Sequence, residues 1–75
     1  MTWLPLESKM FLSVAYDARQ EILYLRFRSG DVYRYLQFSQ DDYQQFSNAE
    51  SKGRYFLGNI RNCFSYERLA KLQVA

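Results

Sequence analysis

A hairpin signal near the middle of the chain places the strongest constraint on the fold. Arg28-Ser29-Gly30 separates two β-prone stretches, residues 21–27 and 31–36, and glycine readily adopts the positive φ angle that a tight three-residue loop needs. Such a loop places Leu25 opposite Tyr33. A two-residue loop would move the third strand by one residue and exchange its two faces relative to the second strand.

The three-residue loop is preferred because it gathers large apolar side chains on one face of the sheet. That face would carry Leu23, Leu25, Phe27, Tyr33 and Tyr35. The opposite face would carry two arginines, a tyrosine and three aliphatic residues, namely Ile22, Tyr24, Arg26, Val32, Arg34 and Leu36. The register therefore decides which rings pack in the core and which stand beside arginines.

Residues 10–16 form another β-prone stretch, and Asp17 begins the turn that follows it because aspartate bonds to its own backbone in turns. Short consecutive connections predict a three-stranded antiparallel β-meander. Residues 1–9 lack a clear period and are interpreted as an N-terminal arm that docks through Trp3 and Leu4. Residues 10–72 are assigned to a single domain, as expected for a chain of 75 residues.

The second half of the chain is predicted to be helical. Ser39 is a good N-cap with Asp42 at the N3 position of a capping box, and an apolar stripe at helical spacing follows it: Tyr43, Phe46 and Ala49. Ser51 caps a second short helix that contains Tyr55, Phe56 and Ile60, and residues 67–72 are expected to form a final turn or short helix. The predicted class is α+β, with the meander packed against one main helix and one or two short C-terminal helices.

Composition narrows the class of function further. The chain has no histidine, which removes the commonest general base and metal ligand, and Cys63 has no second cysteine to share a disulfide or a zinc site. Cys63 is expected to be buried and unreactive, and Asp41-Asp42 to favour the start of a helix. The chain is therefore expected to be no enzyme and to hold no metal or cofactor.

No apolar run approaches the roughly 20 residues that a membrane span needs, and the N-terminus lacks the features of a signal peptide. A single cysteine suits a reducing compartment. We therefore expect a cytoplasmic protein that has no membrane partner.

Several motifs together resemble one known family, the KTSC domain. These are Tyr16-Asp17, Leu23-x-Leu25-x-Phe27, Gly30-x-Val32-Tyr33-Arg34-Tyr35, Ala49-Glu50-Ser51-Lys52-Gly53-Arg54-Tyr55-Phe56 and Asn59-Ile60-Arg61. The family is named for the C-terminus of some lysyl-tRNA synthetases and also occurs as small free-standing bacterial proteins. The resemblance covers residues 10–69. It departs from the family at Phe38-Ser39, where a Val-Pro pair is usual. RNA binding has been suggested for the family, so the resemblance implies a binding domain of that kind.

The residues themselves also favour nucleic acid, since single-strand binders combine a basic groove with rings that stack on bases. The net charge is +2, and the second half of the chain is the more cationic. The candidate phosphate contacts are Arg26, Arg34, Lys52, Arg54 and Arg61, and the candidate stacking residues are Tyr24, Tyr33 and Tyr55. RNA or single-stranded DNA is thus the first candidate partner.

Each candidate has a structural alternative. Tyr33 and Tyr35 lie on the predicted core face, so packing is the favoured role of this pair, and Arg26 and Arg34 are also consistent with an ordinary solvated surface. The many rings suit a second class of function as well. An exposed aromatic patch would bind a protein partner or a second copy of the chain, and its affinity would respond little to salt.

Overall fold

The structure, a computed structural model, describes residues 2–71, except for the side chains of residues 70 and 71. Within this range an antiparallel sheet with the strand order β1-β2-β3-β4-β5 packs against two helices. The elements in chain order are β1 (Leu4–Pro5), β2 (Phe11–Asp17), β3 (Ile22–Phe27), β4 (Asp31–Tyr35), α1 (Gln40–Asn48), α2 (Lys52–Asn59) and β5 (Tyr66–Lys71).

The predicted α+β class and the antiparallel meander are confirmed, but the prediction of three strands is wrong because the sheet has five. The missed strands, β1 and β5, lie at its two edges. The helix or turn expected over residues 67–72 is instead a strand up to Lys71, and Leu72 lies outside the described residues. Pairing with β4 overrides the local preference: Tyr35 lies opposite Tyr66, and the Leu36 amide donates to the Ser65 carbonyl at 2.9 Å.

The N-terminal segment is attached to the sheet. Leu4 lies opposite Val14, and the Leu6 amide donates to the Leu12 carbonyl at 3.0 Å. The Trp3 ring reaches the sheet face opposite the helices, where it meets Tyr24 edge to face with 6.4 Å between centroids. The division of the chain into an arm over residues 1–9 and a domain over residues 10–72 stays a prediction.

The predicted register of the β3–β4 hairpin is confirmed. Leu25 lies opposite Tyr33 and Leu23 opposite Tyr35. Gly30 has a φ angle of 98°, and its amide donates to the Phe27 carbonyl at 3.0 Å. A side chain at this φ angle would be strained, so the glycine is needed to close the loop in the register that turns both tyrosines toward the helices.

The core lies between one sheet face, here called the inner face, and the two helices. Its buried cluster contains Phe11, Val14, Leu23, Leu25, Tyr35, Phe38, Phe46, Phe56 and Ile60. Phe46 is the buried residue of α1, and Phe56 that of α2. The other sheet face, here called the outer face, carries Tyr24, Arg26 and Arg34, whose cross-strand partners lie on the same side.

Both helices begin at the predicted serine caps. Ser39 Oγ accepts from the Asp42 amide at 3.1 Å, and an Asp42 carboxylate oxygen accepts from the Ser39 amide at 3.2 Å, which completes the capping box. Ser51 Oγ accepts from the Arg54 amide at 3.2 Å. In the part of the chain that the structure describes, neither helix has the length and apolar character needed to cross a membrane.

Candidate binding groove

An open groove with a volume of about 500 Å³ lies between the inner face of the sheet at β4 and β5 and the side of α2 with the turn after it. Its lining residues are Met10, Phe27, Ser29, Asp31, Tyr33, Tyr35, Phe56, Leu57, Arg61, Asn62 and Tyr66. The strands supply a wall of aromatic rings, and α2 with the turn after it supplies the facing wall. Two of the predicted site residues, Tyr33 and Arg61, therefore meet in this groove.

Three tyrosines form the sheet wall of the groove. Tyr33 and Tyr35 alternate along β4 and so share a face, with 6.4 Å between their ring centroids. Tyr66 on β5 lies 5.7 Å from Tyr33 and 5.9 Å from Tyr35, centroid to centroid. Tyr35 is 3% exposed and forms the floor, Tyr33 is half-buried, and Tyr66 is 57% exposed. The two outer rings therefore present surface on which a planar ligand can stack.

Two charged side chains line the groove, Arg61 and Asp31. Burial raises the pKa of the Tyr35 hydroxyl, the neighbouring Tyr33 and Tyr66 raise it further, and Arg61 lowers it. Asp31, which also lines the groove, forms an ion pair with Arg68 at 2.9 Å. A positive charge at Arg61 therefore stands beside the tyrosines, while the carboxylate of Asp31 is already compensated.

Three of the five predicted phosphate contacts are engaged within the domain. The Arg26 guanidinium lies over the Trp3 ring, 4.4 Å from its centroid. Arg34 donates through Nε and Nη2 to one Glu67 oxygen, each at 2.5 Å, and this hydrogen bond raises the pKa of Arg34. Lys52 Nζ donates to the Ala49 carbonyl at 2.6 Å. The charge of Arg34 is therefore offset by a carboxylate, whereas Arg26 and Lys52 are held in place by partners that leave other N–H donors of each group free.

Arg54 and Arg61 differ from those three. Both are exposed, and neither side chain forms an ion pair or a hydrogen bond with any other of the residues 2–71. Arg61 lines the groove, whereas Arg54 lies near the start of α2. These two guanidinium groups therefore keep all of their N–H donors for an anion.

The predicted site residues fall into three places. Tyr24, Arg26 and Arg34 share the outer face, as predicted, and Tyr33 and Arg61 meet in the groove. Lys52, Arg54 and Tyr55 lie on the first turn of α2. There the Tyr55 ring packs against Phe46 at 6.1 Å between centroids, and its hydroxyl donates to Gln45 at 3.2 Å. Their role in binding stays a prediction.

Sequence reasoning missed Tyr66, which completes the aromatic wall. This residue falls in a stretch that was not read as a strand, so nothing placed it beside Tyr33 and Tyr35. Tyr66 itself, a β-prone residue, was the available signal, but its neighbours Glu67, Arg68 and Leu69 all favour helix.

The expectation that Cys63 is buried is wrong, because its thiol is exposed in the turn after α2. The chain leaves α2 at Ile60, which is buried and anchors the turn, so the residues that follow it project outward. Among residues 2–71, no three His, Cys, Asp or Glu side chains are grouped as they would be around a metal ion.

The family model of the KTSC domain matches residues 7–66 of this chain. The chain belongs to the KTSC domain family. The crystal structure of a KTSC domain protein from Yersinia pestis superposes with a TM-score of 0.88 at 33% sequence identity, over 92% of this chain and 97% of that one. The resemblance seen in the motifs is thereby confirmed, and all residues that line the groove lie within the matched segment.

KTSC relatives occur both as small proteins and inside larger ones. A lysine–tRNA ligase of Trichormus variabilis is 33% identical over 64 residues, which are 85% of this chain and 11% of the ligase. A protein of Tsukamurella paurometabola is 33% identical over 60 residues, which are 80% of this chain and 90% of that protein. The chain thus spans about a tenth of the ligases it matches and most of the small relative.

Proposed function

We propose that this KTSC domain is a non-catalytic binding domain that takes single-stranded nucleic acid, RNA foremost, in the aromatic groove. The observation that carries the proposal is the meeting of Tyr33, Tyr35 and Tyr66 on one open sheet face beside the unpaired guanidinium of Arg61. Stacking rings next to a free cation are what single-strand binding surfaces combine.

The energetics of such a groove are sufficient for useful affinity. A base that stacks on an exposed tyrosine contributes about 1–3 kcal/mol, and Tyr33 and Tyr66 each present part of a ring. Arg61 adds a charge-assisted contact to a phosphate, which arginine makes with two parallel hydrogen bonds. Because a base in a duplex has no free face to stack on these rings, the groove favours unpaired strands.

The family relationship supports RNA over DNA. Segments similar to this chain occur within proteins named lysine–tRNA ligase, and a domain that holds unpaired nucleotides would suit such a protein. Similar segments also form nearly the whole of small relatives. A binding role that does not depend on a neighbouring domain accommodates both settings.

A second candidate function is protein recognition through the same groove. Leu57 on α2 is 50% exposed and lines the groove together with the exposed ring of Tyr66. Exposed apolar walls of this kind are typical of protein-binding surfaces. The two functions differ in their response to salt, since phosphate contacts weaken steeply as salt rises whereas apolar contacts change little.

Fluorescence anisotropy with labelled single-stranded RNA and DNA at about 50 and about 200 mM salt tests the proposal. Tyr66→Ala is expected to weaken binding by roughly 5- to 150-fold, the loss of one stacked base. Arg61→Ala should lower the slope of log K against log salt by about 0.7, the value for one phosphate of a single strand.

Two matched variants serve as controls. Arg19→Ala removes an exposed arginine from the β2–β3 turn, and Tyr24→Ala removes a tyrosine from the outer face, so neither touches the groove. Both should bind like the wild type. A loss with Tyr24→Ala, or with Arg26→Ala and Arg34→Ala together, would move the site to the outer face. If the wild type fails to bind even at low salt, nucleic acid is excluded in favour of a protein partner or self-association.

A further inference from the structure

One exposed face of α2 runs alongside the groove and continues into the turn after the helix. Arg54, Leu57 and Gly58 share this face of α2 at helical spacing, Arg61 follows in the turn after Ile60, and all four residues are exposed. The opposite side of the helix packs inward through Phe56. Leu57 and Arg61 also line the groove, so this face and the aromatic wall belong to one continuous surface.

Gly58 is the unusual member of this face, since nothing in the described part of the domain requires a glycine there. A Cβ atom added at Gly58 would meet no heavy atom of the described residues within 4 Å, and the residue does not have a positive φ angle. Gly30 differs, because its φ angle is 98°. At Gly53 an added Cβ would lie 3.6 Å from the Met10 side chain, which is an ordinary van der Waals contact, whereas the space beside Gly58 is open. A glycine in a helix lowers stability relative to alanine.

A glycine that the fold does not need is explained when another chain must come close to the backbone. The neighbours of Gly58 indicate what that chain carries. Arg54 lies four residues before it, one turn of helix away, and Arg61 lies three residues after it in the turn that follows α2. Neither arginine has an ion-pair partner among residues 2–71. The full charge of Arg61 also offsets the partial negative charge of the helix C-terminus, which would otherwise repel an anion.

We propose that the sugar–phosphate backbone of a bound single strand lies directly against α2 at Gly58, with Arg54 and Arg61 contacting different phosphates and the bases turned toward Tyr33 and Tyr66. This inference rests on the proposed function and deepens it, because it assigns the strand a path over the helix wall. It also gives Arg54, which does not line the groove, a role in binding.

Gly58→Ala tests this path because it separates stability from binding. The variant should melt about 3–6 °C higher than the wild type, as a helical glycine-to-alanine change does in a domain of this size. Its affinity for a labelled RNA of about 12 nucleotides, a length within the site sizes of small single-strand binding domains, should fall at least about tenfold because the added methyl holds the backbone away from the arginines.

Glu21→Gly is the matched control. Glu21 has a φ angle of 57° in the β2–β3 turn, so glycine there should also raise the melting temperature, at a place remote from the groove. It should leave RNA affinity unchanged. A double-mutant cycle adds a second readout. Arg54→Ala should weaken RNA binding more when it is introduced into the wild type than when it is introduced into Gly58→Ala, because the added methyl group already disrupts the contact between Arg54 and the phosphate.

The outcomes separate this inference from the proposed function. If the wild type binds RNA and Gly58→Ala binds it equally tightly, the path over α2 is overturned and the groove remains the site. A lower melting temperature of Gly58→Ala also overturns it, since the glycine would then have a structural role. If the wild type itself does not bind RNA, the proposed function fails and the inference fails with it.

Discussion

Phe11 joins the sheet to both helices, so its ring is expected to control the stability of the whole domain. It is fully buried at the start of β2. Its centroid lies 4.9 Å from that of Phe27, 5.3 Å from that of Phe56 on α2 and 6.1 Å from that of Phe46 on α1. Phe11→Leu keeps an apolar side chain at this position but removes all three ring contacts.

The size of the effect follows from these contacts. An aromatic pair contributes about 0.5–1.5 kcal/mol beyond the area it buries, and three pairs that share one ring do not add fully. We therefore expect Phe11→Leu to lower the free energy of unfolding by about 2 kcal/mol. A single core in a domain of this size supplies only about 3–5 kcal/mol, so Phe11→Ala, at about 3–5 kcal/mol, should leave the chain largely unfolded.

Urea unfolding followed by circular dichroism measures the change. With a slope of about 1 kcal/mol per molar urea, as expected for a small domain, the midpoint should fall by about 2 M. Phe64→Leu is the control, because Phe64 is half-buried and has one ring contact, with Phe38 at 4.9 Å. Equal midpoint shifts for the two variants would refute the argument that Phe11 acts through its three partners.

Three further predictions concern the turn, the helix cap and the core tyrosine. Glu21→Gly should raise the free energy of unfolding by about 1 kcal/mol, because the φ angle at Glu21 is 57°. Gln20→Gly should lower it by about 0.4–1 kcal/mol, because glycine adds freedom to the unfolded chain. A chemical denaturation experiment that ranks the two variants in the opposite order would contradict this prediction. Ser39→Ala should cost about 1 kcal/mol by removing the capping box, whereas Ser47→Ala in the same helix should cost nothing in the same assay. Burial raises the pKa of Tyr35 in the folded state. The contribution of the neutral Tyr35 hydroxyl to the free energy of unfolding is therefore fully present below about pH 10, the pKa of an unfolded tyrosine, and is lost as the pH rises beyond that value. Denaturation measured from pH 8 to 12 should therefore show a shallower alkaline loss for Tyr35→Phe, and an unchanged loss would refute the assignment.

The hairpin and the helix starts were predictable because the interactions that form them are local. Gly30 adopts its positive φ angle within a loop of three residues, and this alone places Tyr33 and Tyr35 on the inner face. Ser39 and Asp42 bond to each other within one turn of helix. Interactions between residues this close in sequence depend little on the rest of the molecule, so a sequence pattern is enough to predict them.

The edge strands could not be predicted in the same way. Residues 66–71 have no strong preference for a strand, and they become one because β4 offers an unpaired edge that their backbone groups can satisfy. The same holds for Leu4–Pro5, which pairs with β2 over two residues. Because the predicted sheet ended at the third strand, the prediction could not place Tyr66 in the groove.

By itself, the sequence determined the α+β class, the register of the central hairpin, the serine caps and the absence of histidine chemistry, because these depend on residue type and short spacing. Only the tertiary structure decided that two of the five predicted cations have partners from distant parts of the chain. Arg26 and Arg34 are occupied by Trp3 and Glu67, which lie 23 and 33 residues away in sequence. Arg54 and Arg61 stay unpaired beside the groove, since no acidic side chain among the described residues reaches them. The availability of a charge depends on long-range neighbours, which the spacing of residues along the chain does not reveal.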